Sequence, residues 1–124
     1  MEEGILMNKK KLLTIVYFVM PALAAAVYLL IHRSILSIPL YALSLVSGLF
    51  AYTWLMFQFV LSSRHPLVEN GIGHDILMRL HRKMGVVIVL LMLPHAAVRI
   101  AMFPPSVRSL LGVAALLGFA EVAI

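Results

Sequence analysis

Two histidines, His81 and His95, stand fourteen residues apart inside an apolar stretch of this chain. On an α-helix that interval sweeps about 1400°, some 40° short of four turns, so both imidazoles leave one face. At 1.5 Å per residue they lie about 21 Å apart along the axis. An imidazole in an apolar helix needs a partner for its ring nitrogens, because an unsatisfied polar group there is costly. A polar group on a neighbouring helix, a proton path or a metal could each serve. Haem iron held by two histidines keeps no open coordination position and suits electron transfer. Two haems stacked across a bilayer need one ligand pair per leaflet, and this spacing supplies half of each pair. The stripe around the histidines reads His81, Gly85, Ile88, Met92, His95, Arg99. Gly85 leaves room for a porphyrin edge, and Pro94 can bend the helix at His95. Arg82 and Lys83 beside the first histidine, and Arg99 beyond the second, are candidate partners for haem propionates. They serve equally well as anchors at the two membrane interfaces.

Such a pair needs a long helix in a medium that tolerates its surface. The 124 residues are 63% hydrophobic and 12% charged, with a mean hydropathy of +1.04. A soluble domain this short cannot hide that much apolar surface. The expected fold class is therefore all-α, a polytopic transmembrane helix bundle of three complete spans plus a fourth that looks cut. The runs are 12–31, 39–61, 76–103 and 107–124, against the roughly 20 residues a helix needs to cross. The first run, behind Lys9, Lys10 and Lys11, is too long for a signal-peptide core and reads as an uncleaved span. Pro39 opens the second. Within it, Ser44 and Gly48 form a small-xxx-small pair that lets another helix or a flat cofactor come close. The 62–83 segment is the most polar, with turn signals from Ser62 to Pro66 and at Glu69-Asn70-Gly71, and Asp75 as a candidate helix cap. Pro104-Pro105 stops the third span. The fourth run contains Arg108, Ser109 and Glu121 and reaches the last residue without a polar flank.

The Lys and Arg residues fall seven on the side of the N-terminus and the 62–83 segment, and three (Arg33, Arg99, Arg108) on the other. The positive-inside rule then makes the N-terminus cytoplasmic in a multi-pass protein of the cell membrane. His81 sits near the inner boundary and His95 towards the outer one. The net charge of +5 lies at the ends of apolar runs, which points to the lipid bilayer as partner and not to nucleic acid. The chain has no cysteine, which excludes disulfides and Cys-ligated zinc or iron–sulfur clusters. It has no GxSxG and no P-loop, so hydrolase and nucleotide-binding readings have no support.

The run Ser62-Ser63-Arg64-His65-Pro66-Leu67, then Gly73-His74-Asp75, Leu80-His81-Arg82-Lys83-Met84-Gly85 and Leu93-Pro94-His95, resembles the ferric reductase-like transmembrane domain family. That family includes NADPH oxidases, ferric-chelate reductases and the haem-binding subunit of a bacterial methionine sulfoxide reductase system. The resemblance covers about residues 40–105, and the first and fourth spans match only as apolar helices. It implies a six-helix bundle around two haem b groups, each held by one histidine of the third helix and one of the fifth. Carried over, His81 would ligate the inner iron and His95 the outer one. Arg64 would meet an inner propionate or anchor the interface. The chain stops in what would be helix four, so 1–124 reads as a partial domain: a truncated product, a fragment or half of a split protein. The remaining helices, and the FAD and NAD(P)H sites of a flavin/nicotinamide reductase, are then expected from a missing domain or a partner subunit. His32, His65 and His74 do not replace the absent fifth-helix ligands.

The function this implies is transmembrane electron transfer from a cytoplasmic flavin or NAD(P)H donor to an extracytoplasmic acceptor. The chain reads as the membrane component of such an oxidoreductase, without its flavin/nicotinamide domain. The competing reading is a non-enzymatic membrane anchor or subunit whose histidines make interhelical hydrogen bonds. A proton or metal-ion carrier is disfavoured because Glu121 is the only acidic residue inside the four runs.

Overall fold

The computed structural model describes residues 2–123. They form helix α1 (Glu2–Ile31), a 3₁₀ turn (Arg33–Ser37), α2 (Pro39–Ser62), a short α3 (Pro66–Ile72), α4 (His74–Met102) and α5 (Val107–Ala123). There is no strand among the described residues. Three helices, α1, α2 and α4, are long and apolar enough to cross a membrane. The chain is thus an all-α, multi-pass membrane protein. Large apolar side chains such as Leu43, Phe59 and Leu90 stay exposed, because lipid and not a protein core is their solvent.

The helix boundaries follow local chemistry. Glu2 and Glu3 occupy the first turn of α1, where acidic groups complement the helix dipole. Helix α1 thus starts ten residues before its apolar run and carries Lys9–Lys11 within it. Pro39 opens α2. Between α2 and α3, Arg64 takes a positive φ of 52°, which reverses the chain. His65 then caps α3, its Nδ1 accepting from Leu67 N–H at 3.4 Å, with Pro66 in the first turn. The turn signals at Glu69-Asn70-Gly71 therefore fall inside a helix. Only Gly73, at φ 89°, breaks α3 from α4, a conformation glycine adopts without strain. Gly73 also holds the cap position, so Asp75 lies in the first turn of α4 instead of capping it. There its carboxylate faces the positive end of the dipole. Helix α4 ends at Met102, just before Pro104-Pro105.

The main packing seam joins α2 and α4. Helix α1 lies against α2, α5 against α4, and α3 beneath α1 and α4. Near the α3 end the core is Tyr17, Leu61, Val68, Leu77 and Met84, flanked by Trp54 and Phe57. One contact there repairs a helix defect. Pro21, fully buried inside α1, has no N–H to give the carbonyl four residues back. That carbonyl belongs to Tyr17, and the Trp54 indole N–H donates to it at 3.0 Å. In hydrocarbon no water could take that place.

Candidate functional site

Helix α4 carries both candidate ligands, and α2 is the wall they face. His95 is half-buried on the seam. Its Nδ1 lies 2.8 Å from the Ser44 carbonyl oxygen. A carbonyl only accepts, so Nδ1 bears the proton and Nε2 keeps its lone pair. The Ser44 hydroxyl reaches back to the His95 carbonyl at 3.4 Å. Below the ring sits Gly48: a Cβ built there would stand 2.6 Å from Nδ1 and 2.8 Å from Cε1. The small-xxx-small pair therefore admits the imidazole of another helix, and Gly48 is required for it.

His81 is placed differently. Its Nδ1 is buried and has no hydrogen-bond partner. It lines a cavity of about 160 Å³ between α2 and α4, with Leu61, Ser62, Arg64, His74, Leu77 and Met78. His95 lines a second cavity, about 180 Å³, between α4 and α5, where Arg99 and Arg108 also lie. Each histidine thus shares a cavity with arginine, His81 with Arg64 and His95 with Arg99. Arg82 and Lys83 are exposed and line neither cavity. Arg99 stacks its guanidinium over the Phe103 ring at 4.8 Å. Among the described residues the ion pair recorded is His74 with Glu69 at 3.6 Å, so these cations hold no internal carboxylate.

The other histidines are engaged locally. His32 lies 3.2 Å from the Tyr28 carbonyl and stacks on the Tyr28 ring, His65 caps α3, and His74 pairs with Glu69. The place of His74 in the His81 cavity, two turns away on the same helix, was not apparent in the sequence. No cluster of three or more His, Cys, Asp or Glu exists among the described residues. Nor was Gln58 apparent as a seam residue; it is 5% exposed, with a buried, unpartnered Oε1. A lone glutamine in an otherwise apolar span was the available signal.

Residues 47–120, more than half of the chain, match the family described as ferric reductase like transmembrane component. The chain belongs to that family. The matched region of this ferric reductase-like chain takes in most of α2, all of α3 and α4, and α5 as far as Ala120. Both seam histidines lie inside it. Membership makes the protein a membrane component of oxidoreductase type. Neither a curated protein nor a solved structure matches it.

Proposed function

We propose that this ferric reductase-like chain is the histidine-bearing part of a transmembrane electron-transfer module. His81 and His95 each offer one axial ligand to a b-type haem. The observation that carries the reading is the setting of His95: its Nδ1 is tied to a carbonyl of the facing helix, which leaves Nε2 bare. Metal-bound histidines characteristically donate the second ring N–H to a carbonyl, carboxylate or water. The Ser44 carbonyl does this for His95 and leaves Nε2 as the coordinating nitrogen. When bound, haem b supplies one-electron chemistry between ferric and ferrous iron.

The rest of the chain supports the same reading. Arg64 and Arg99, each sharing a cavity with a histidine and free of internal carboxylates, suit the binding of propionate groups. Arg82 and Lys83 stand at the His81 end as further basic groups for the same purpose. With seven Lys and Arg on the side of His81, the overall reaction proposed is electron transfer outward across the cell membrane, with a cytoplasmic N-terminus. The donor is a cytoplasmic flavin or NAD(P)H, carried by a further domain or a partner protein, with FAD as the flavin. The second axial ligands come from further helices or a partner subunit.

A second reading has one observation in its favour. The His95–Ser44 bond is itself an interhelical hydrogen bond, as a non-enzymatic membrane anchor would need. A reduced-minus-oxidised absorption spectrum of the purified full-length protein separates the two. The electron-transfer reading expects b-type haem bands, loss of the outer haem in His95→Leu, and loss of the inner one in His81→Leu. Absence of haem bands in the unaltered protein would leave the anchor reading standing.

A further inference from the structure

We infer that Gln58 is the hydrogen-bond acceptor for the His81 ring, and thereby the positioning residue of the inner histidine. Two buried side-chain polar atoms lack a partner among the described residues, and they are Gln58 Oε1 and His81 Nδ1. One is an obligatory acceptor. The other is a donor in the tautomer that leaves Nε2 bare.

The register of the seam brings the two residues to one level. Helices α2 and α4 run antiparallel, and Ser44 on α2 meets His95 on α4. Fourteen residues forward along α2 from Ser44 is Gln58. Fourteen residues back along α4 from His95 is His81. Both steps cover about 21 Å in the same direction and rotate each helix almost back to its starting face. The contacts at that end agree. Leu61 and Ser62, one turn beyond Gln58, line the His81 cavity. Tyr17, which touches Gln58, shares a core cluster with Leu77 and Met84, the neighbours of His81 on α4.

The amide has its acceptor to spare. Gln58 Nε2 donates to the Tyr17 hydroxyl at 3.5 Å, which leaves Oε1 free. Tyr17 is itself anchored to α2 through the Trp54 bond to its carbonyl. A rotation of the Gln58 side chain, or one water between the two atoms, completes a line from Tyr17 through Gln58 to His81. The seam would then treat its two histidines alike, with a backbone carbonyl accepting from His95 and a side-chain amide oxygen accepting from His81. An acceptor on Nδ1–H makes the imidazole a more basic ligand, which favours the ferric over the ferrous state. This effect on potential rests on the haem reading; the hydrogen bond does not.

The test uses full-length protein labelled with ¹⁵N-histidine, reduced with dithionite, as unaltered protein and as Gln58→Leu and Gln58→Glu. The expected result is a His81 Nδ1–H signal in the hydrogen-bonded range. It should move to the unbonded range in Gln58→Leu and return in Gln58→Glu, with His95 unmoved throughout. Redox titration is the second readout. Losing such an acceptor weakens metal binding about tenfold. Where that loss falls on the ferric form, the inner midpoint potential rises by about 59 mV, with the outer unchanged. A His81 Nδ1 signal identical in unaltered protein and Gln58→Leu overturns the inference. If Gln58→Leu does not fold, Gln58→Glu decides: returning to the bonded range means, for this stronger acceptor, a His81 signal downfield of that in unaltered protein, and no shift overturns the pairing. A protein without haem bands defeats the haem reading alone, because the ¹⁵N signals still judge the hydrogen bond.

Discussion

The tightest contact in the seam allows a quantitative prediction. In Gly48→Ala the new Cβ would stand 2.6 Å from His95 Nδ1, where ordinary van der Waals contact begins near 3.4 Å. The imidazole or the helix pair must therefore give by about 0.8 Å, more than the roughly 0.5 Å tolerance within which a functional side chain works. The Ser44–His95 bond is 2.8 Å, and a displacement of that size along it leaves the hydrogen-bonding range. Overpacking of this kind costs about 1–3 kcal/mol, and a membrane interhelical hydrogen bond adds about 0.6 kcal/mol. The expected total is about 1.6–3.6 kcal/mol, enough to weaken binding at a site on His95 by roughly 15- to 400-fold. Gly118→Ala is the control, since its Cβ would meet nothing within 4 Å. Thermal unfolding in detergent and haem difference spectra should show Gly48→Ala destabilised and depleted of the outer haem, with the inner haem retained. Gly118→Ala should be unchanged or slightly more stable. A Gly48→Ala protein with unaltered unfolding temperature and spectrum would refute the claim that Gly48 seats the imidazole.

Ser44→Ala should change the outer site little, because the 2.8 Å bond goes to the backbone carbonyl and the hydroxyl contacts are longer, at 3.4 and 3.5 Å; potentiometry of the outer haem checks this. Trp54→Phe keeps an aromatic ring but removes the donor to the Tyr17 carbonyl freed by Pro21. It should cost about 1–2 kcal/mol, read as a lower unfolding temperature, and Pro21→Ala in the same background should recover part of it. Gly73→Ala forces a side chain to φ 89° and should cost more than about 1 kcal/mol, with hydrogen exchange rising in α3 and the first turn of α4.

Helix-pair geometry links these predictions. His95 is oriented by what α2 presents at its level, and α2 presents little besides small or polar groups along the seam: Ser44, Ala51 and Gln58 are its most buried seam residues. Small residues let backbones approach, and polar ones then find partners that lipid cannot provide.

Much of this was legible in the residues alone. Apolar run length and the near-absence of charge determine a membrane-spanning helical chain, because a bilayer sets the length and hydrocarbon excludes charge. Periodicity along one helix places His81 and His95 on a single face, since that relation is local and needs only the pitch. Pro104-Pro105 marks where α4 ends for the same local reason. Composition could not show that 66–72 is helical, since Asn70 and Gly71 are poor helix formers and packing of Val68 and Gly71 beneath α1 and α4 overrides their propensity. Nor could it show which turn of α2 lies against which turn of α4. That register is a contact between residues about fifty apart, decided by how Gly48 admits one imidazole. Only the tertiary structure could turn the histidine pair of the opening into two differently held groups. His95 is already tied through Nδ1, and His81 keeps a buried Nδ1 with no partner.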